Sequence, residues 1–279
     1  MRLSIIMPVY NGGKTIRLTL ESIVKQTCRD FELLIIDGAS TDDTDAIIKQ
    51  YHGLYSLYLS EPDDGYADAL NKGIAHAQGD YVMMLAADDQ LLQMSVENML
   101  ASIKTETDIW CGSRIDKMPY GYRLIESDPD LMKLYSYCSL NHPASMFRRA
   151  LFSKYGGYDC SYKCAADREL FLRLLINGAV FQVEKAPVVL FCMGGISTAD
   201  PHRHVIPEDI RISESYGVSD DVITKNTKTQ LHIIHREKKL ATTLLILSKL
   251  GLLRPLYRIT SKPTGLLSKT ELMKFLADQ

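Results

Sequence analysis

The sequence predicts an α/β protein, a doubly wound and mostly parallel sheet of Rossmann-like character followed by a C-terminal helical appendage. Three observations predict it. Residues 3–9 and 31–37 are short runs of Ile, Leu and Val that each end in a turn, the pattern of strands buried on both faces. Between them Ile16, Leu20, Ile23 and Val24 recur at helical spacing. This alternation of strand and helix continues through about residue 112.

In chain order, the spacing predicts a helix over 14–26 and another over 42–51, the latter after Ser40-Thr41-Asp42 as a candidate N-cap. A strand (55–60), a helix (66–77) and a strand (80–85) follow. Ligands bind beyond the carboxyl ends of the strands in such sheets. Attention therefore falls on Tyr10-Asn11, Asp37, Ser60-Glu61 and Asp88-Asp89, which should converge on one edge. From residue 113 to about 200 the pattern is less regular, with one strong helix over 167–177. Residues 228–249 are helical in pattern, and 250–259 are apolar but interrupted by Arg254, Pro255 and Arg258. That stretch is too short and too charged to span a membrane.

Composition narrows the function. Of 279 residues, 46% are hydrophobic and 24% charged, ordinary for a protein with a substantial core. A formal net charge of −2 provides no global positive field, which argues against nucleic acid as a partner. Cys28, Cys111, Cys138, Cys160, Cys164 and Cys192 show no paired CxxC spacing, and are expected to be reduced thiols in a cytoplasmic protein. The N-terminal apolar run is broken by Pro8 and reads as a strand rather than a signal peptide.

The chemistry centres on Leu85-Ala86-Ala87-Asp88-Asp89, directly after an apolar strand. Adjacent carboxylates repel unless a cation neutralises them. Hard oxygen ligands of this kind suit Mg²⁺ or Mn²⁺ bridging to a diphosphate; a helix N-cap is the alternative use. A second constellation is Ala165-Ala166-Asp167-Arg168-Glu169-Leu170, which opens an amphipathic helix. Asp167 there can serve as a general base or simply complement the helix dipole.

Taken in order, Pro8-Val9-Tyr10-Asn11, Asp37-Gly38-Ala39-Ser40, Glu61-Pro62-Asp63-Asp64-Gly65-Tyr66-Ala67-Asp68-Ala69-Leu70-Asn71-Lys72-Gly73, Asp88-Asp89 and Ala166-Asp167-Arg168-Glu169 resemble the family-2 glycosyltransferases, inverting enzymes of the GT-A fold. The resemblance covers residues 3 to about 198 and looks closest to bacterial polysaccharide-assembly members. It implies that Pro8, Tyr10 and Asp37 line the pocket for the donor's base and ribose, with turn chemistry as the other use of Tyr10 and Asp37. Asp68, Asn71 and Lys72 would lie near the donor, although Lys72 also suits a solvated helix face. Asp88, and with it Asp89, would hold the metal, and Asp167 would be the catalytic base with Glu169 as its competitor. Gly194-Gly195-Ile196-Ser197 is similar to an acceptor-side loop. His202, His204 and His142 are further candidates near the site, more ordinary as structural or surface residues. Four positions depart from the commoner pattern: Gly38, Leu70, Ala86 and Ala166.

The resemblance divides the chain into a nucleotide-sugar-binding half (1–112), an acceptor-binding and catalytic-base half of the same domain (113–200) and a helical extension (201–279). Expected partners are a nucleotide-diphosphate sugar and a sugar or lipid-linked acceptor. A pyrophosphorylase would need a basic glycine-rich loop that residues 10–14 lack, and a non-catalytic sugar-nucleotide-binding protein would not need both Asp88 and Asp167. Leucines in 240–259, with Lys238, Lys239, Lys249, Arg254, Arg258 and Lys262, suit peripheral contact with the inner face of the plasma membrane. Packing on the catalytic domain or a homodimer contact is the equal alternative.

Overall fold

Strands β1 (Leu3–Val9) and β2 (Phe31–Asp37) form where the apolar runs predict them, and both are buried almost throughout. Helices α1 (Ile16–Val24) and α2 (Thr44–Lys49), strand β3 (Leu57–Ser60), helix α3 (Tyr66–His76) and strand β4 (Tyr81–Met84) complete the alternating half. The computed structural model describes residues 2–118, 121–192, 201–249 and 266–267. Gly194–Ser197 and residues 250–259 lie outside the described residues, as does the side chain of His202.

Four strands pair in parallel in the order β3-β2-β1-β4. Val9 stands beside Asp37 and Asp37 beside Ser60, so the loop starts after β1, β2 and β3 share one edge, as expected. Pro8 is tolerated inside β1 because the β4 ladder ends beside it, at the bond from Leu85 N–H to Ile6 C=O.

The sheet then becomes mixed. After β5 (Gln90–Leu91) and α4 (Ser95–Ser102), strand β6 (Ile109–Met118) runs through the division at residue 112 and joins the two halves. Strand β8 (Ser145–Arg148) lies antiparallel between β4 and β6. Strand β7 (Gly121–Ile125) continues that side of β6, while β9 (Phe181–Cys192) flanks its other side in parallel and also receives β5. A two-residue strand, β10 (Leu266–Leu267), adds to β7. Helices α5 (Ala150–Tyr155) and α6 (Ala166–Ile176) precede β9. Helices α7 (Pro201–Ser215) and α8 (Asp220–Lys249) form the C-terminal extension.

Side-chain alternation along the strands separates two apolar layers. Leu3, Ile5, Met7 and Val9 pack with Ile16, Leu20 and Ile23 of α1 and Val96 and Met99 of α4. On the opposite face Ile6, Leu34 and Ile36 pack with Leu70 of α3, Phe152 of α5, Phe171 and Leu174 of α6, and Ile212 of α7. Leu70, one of the departures, is therefore core. Among the described residues, no helix is long and apolar enough to cross a membrane, and all six cysteines are free thiols.

Candidate active site

Beyond β4 a cavity of about 700 Å³ opens between the two halves of the sheet. Asp88, Asp89 and Asp167 all line it, with Tyr66, Arg114, Tyr137, Cys138, His142, Tyr158, Lys163 and Phe191. The chain reaches it from three directions. Asp88 and Asp89 follow β4, Tyr66 is the first residue of α3, and Asp167 stands in the first turn of α6.

The Tyr66 hydroxyl marks the point of convergence. Desolvation pushes its ionisation well up, and the charges of Asp89, Asp167 and Asp88 add to the shift. Sequence reasoning passed over Tyr66 as a site residue; its place directly after Gly65, at the helix start, was the available signal.

The two adjacent acids differ. Asp89 is 1% exposed, and its Oδ1 accepts the Cys192 N–H at 2.9 Å, which ties the loop to β9. Burial pushes its carboxyl up to about 8, against that hydrogen bond, with Asp88 adding to the rise. Asp88 is half-buried and raised by desolvation, and among the described residues no ion pair engages it. Two adjacent desolvated acids on one cavity fit a divalent ion. Among the described residues no group of three or more His, Cys, Asp or Glu side chains gathers for a metal. The departures Ala86 and Ala166 both face the cavity, where larger side chains would narrow it.

Asp167 and Glu169 are separated by their surroundings. The Asp167 Oδ1 accepts its neighbour's Arg168 N–H at 2.7 Å, and Cys138 Sγ lies 3.7 Å from Oδ2, with the carboxylate on the cavity. Glu169 is 6% exposed and engaged by Arg173 at 2.9 Å and by the Tyr216 hydroxyl at 2.8 Å. His142 is buried, bonded through Nε2 to the Tyr158 hydroxyl at 2.7 Å, and burial lowers its pKa, which keeps it neutral. His204 is absent from the cavity lining.

The residues expected around the donor do not line this cavity. Tyr10 is 66% exposed on the rim of the sheet edge. Pro8 is buried in β1. Asp37 is 1% exposed, its oxygens taken by Ser40 N–H (3.0 Å) and Oγ (2.5 Å), Ser60 Oγ (2.7 Å) and the Tyr58 hydroxyl (3.3 Å). It shapes the turn in which Ala39 takes φ 59. Next to it, where a side chain on Gly38 would begin, Asp63 Oδ2 lies 2.5 Å away, so a carboxylate reaches that space from another loop.

Lys72 and Asp68 staple the loop before α3. The Lys72 ammonium donates to Pro62 C=O at 2.8 Å and pairs with Glu61 (3.0 Å) and Asp68 (3.3 Å), and Asp68 accepts the Asp64 N–H. Asn71 clamps α3 to the loop that follows α5. Its Nδ2 donates to Tyr158 C=O and its Oδ1 accepts Tyr158 N–H, both at 2.8 Å. A Cβ on Gly157 would stand 2.2 Å from that Oδ1, so the close approach requires glycine. Because Asn71→Ala leaves two backbone groups unpaired, it is expected to cost about 1–3 kcal/mol of stability in urea unfolding. A loss below about 0.5 kcal/mol would contradict the clamp.

The fold can be compared with solved structures. TarS of S. aureus in complex with UDP-GlcNAc superposes with a TM-score of 0.63 at 19% identity, covering 76% of this chain. The chain spans only 64% of that structure. The mannosyltransferase PcManGT from Pyrobaculum calidifontis, in complex with GDP-Man and Mn²⁺, gives 0.62 at 18% identity over 94% of this chain and 76% of its own. The fold is thus that of the GT-A glycosyltransferases.

Sequence comparison narrows the class to a family. Residues 4–174 match the model of Glycosyl transferase family 2, and the chain belongs to that family. A PGL/p-HBAD biosynthesis glycosyltransferase of Mycobacterium bovis is 31% identical over 187 residues, 63% of this chain and 71% of the relative. An uncharacterized glycosyltransferase of Mycobacterium tuberculosis is 32% identical over 178 residues, 61% and 67% of the two chains.

Proposed function

We propose that this glycosyltransferase moves a sugar from a nucleotide-diphosphate donor to an acceptor hydroxyl by one in-line displacement with inversion. The observation that carries the reading is the convergence of Asp88 and Asp167, from opposite halves of the sheet, on one cavity beside the Tyr66 hydroxyl. Asp167 takes the proton of the acceptor hydroxyl as that oxygen attacks the anomeric carbon. Asp88, with Asp89, holds Mn²⁺ or Mg²⁺, which when bound would neutralise charge on the leaving diphosphate. Tyr66 donates into the same space.

The donor's base and ribose lie along Pro8, Tyr10 and Asp37, where Tyr10 offers an exposed ring for stacking and Asp37 holds the turn beneath. Asp68, Asn71 and Lys72 act on the donor side by fixing the loop and helix rather than by touching the sugar. The 1–112 segment forms the donor half and 113–200 the acceptor half, and holding both substrates in line supplies much of the rate. The solved relatives bound to UDP-GlcNAc and to GDP-Man with Mn²⁺ support the donor and metal classes. The name of the mycobacterial relative supports a place in cell-surface glycan assembly, with a sugar or lipid-linked sugar as acceptor. The leucine-rich segment 240–259 would serve peripheral contact with the inner membrane face, with packing on the catalytic domain or a homodimer contact as the equal alternative.

Product stereochemistry tests the reading. With an α-linked nucleotide sugar, proton NMR is expected to show a β-linked product formed together with free nucleoside diphosphate. An α-linked product would overturn the single displacement.

A further inference from the structure

Helix α6 carries Asp167 but has no cap of its own. Its N-cap position is Ala165, which has no side-chain acceptor, and Cys164 precedes it. The acceptor comes from α7, more than forty residues further along. Glu208 Oε1 receives the Lys163 N–H at 2.8 Å, and Oε2 receives those of Cys164 (2.9 Å) and Ala165 (2.8 Å). One carboxylate thus fixes the backbone of the three residues that lead into the catalytic helix.

Glu208 does not act alone. Its neighbour Asp209 receives Arg168 Nη1 on Oδ1 at 3.1 Å and on its backbone carbonyl at 2.6 Å. The same guanidinium, fully buried, donates to Ser213 Oγ at 2.8 Å and to Leu134 C=O at 2.9 Å. On the other side of the turn, Arg211 donates to Ser161 C=O at 2.7 Å and lies 4.1 Å over the Tyr162 ring. Helix α7 therefore grips residues 161–168 on both sides of Asp167. Every gripping residue lies beyond residue 174, where the family match ends.

We propose that Glu208 is a positioning residue for the transfer reaction, holding the first turn of α6 so that the Asp167 carboxylate faces the acceptor. The helical extension is then a working part of the catalytic centre as well as an appendage. This rests on the assignment of Asp167 as the base. Charge-assisted bonds from a carboxylate to backbone N–H groups are strong. A displacement of about 1 Å at the reacting group can cost about a hundredfold in rate.

The test compares the full-length wild type with Glu208→Ala and the milder Glu208→Gln, which keeps one acceptor oxygen. Amide hydrogen exchange at residues 163–165 is expected to quicken in the order wild type, Gln, Ala. Over the same series kcat for transfer falls by about 10–100-fold at the alanine variant, with partial rescue by glutamine. Calorimetric affinity for the nucleotide sugar stays within about twofold, because the donor side is built from other elements. Unchanged turnover in Glu208→Ala, or unchanged protection of 163–165, would overturn the proposal. An equal loss of donor affinity would do so too, since it would indicate general destabilisation. Failure of the broader functional reading would look different: the wild type itself would bind no nucleotide sugar, while the exchange series would still decide whether Glu208 orders the turn.

Discussion

Replacing Asp167 by Asn is expected to lower sugar transfer by about 10²–10⁴-fold, the usual contribution of a positioned general base. The substitution is nearly isosteric. An amide oxygen can still accept the Arg168 N–H that Asp167 Oδ1 now receives at 2.7 Å, so the helix start should survive. What disappears is the ability to take a proton. Donor affinity, measured by calorimetry on the same variant, should remain within about twofold of wild type. Glu169→Gln makes the control. Its carboxylate is committed to Arg173 and Tyr216, so that variant should lose stability rather than chemistry. If Asp167→Asn kept most of its turnover while Glu169→Gln lost it, the two roles would be reversed.

The second large effect concerns the metal. Wild-type protein should bind UDP or GDP more tightly with Mn²⁺ present, and Asp88→Asn should lose that enhancement. Asp88 is desolvated and lines the cavity, and among the described residues no ion pair engages it, so its carboxylate is available to a cation. Losing one such ligand is worth about 3 kcal/mol, or roughly a hundredfold in affinity. Asp89 is the instructive comparison. Its oxygen holds the Cys192 N–H, so Asp89→Asn should preserve that bond and separate the loop-anchoring part of its role from the charge. Equal metal enhancement in wild type and Asp88→Asn would remove Asp88 from the metal site.

Much of the alternating first part of the chain, through about residue 91, was legible in the sequence because its signals are local. Leu3–Val9 and Phe31–Asp37 are continuous apolar runs, and a parallel strand buried on both faces leaves that trace. Asp88 and Asp167 were legible because each stands at an element boundary, where backbone geometry aims a short side chain into the cavity. The rest was not legible. Strand β9 is buried in blocks with no regular period and shifts register against β6 between Cys111 and Arg114, and β5 has only two residues. Such pairing is fixed by distant partners.

The same limit governs the side chains. Spacing placed Asp68, Asn71 and Lys72 on one helix, yet could not show that Asn71 faces the Tyr158 backbone or that Lys72 is held by Pro62 and Glu61. Helix α8 begins at Asp220 rather than near 228, because its polar first turns carry no apolar periodicity. Glu208 and Arg168 had no local signal either. Their meaning lies in contacts across roughly forty residues of chain, which composition and period do not encode.

The cavity and the adjoining sheet edge at Tyr10 are expected together to take a nucleotide-diphosphate sugar with a divalent ion. Thermal unfolding of the full-length chain against UDP-glucose, UDP-GlcNAc, UDP-galactose and GDP-mannose, each with and without Mn²⁺, tests it most directly. Saturation at about one hundred times Kd stabilises a protein by about 2.7 kcal/mol, enough for a rise of a few degrees in Tm. The account predicts such a rise for at least one donor, present with Mn²⁺ and removed by EDTA; a midpoint unmoved by every donor in either condition would contradict it.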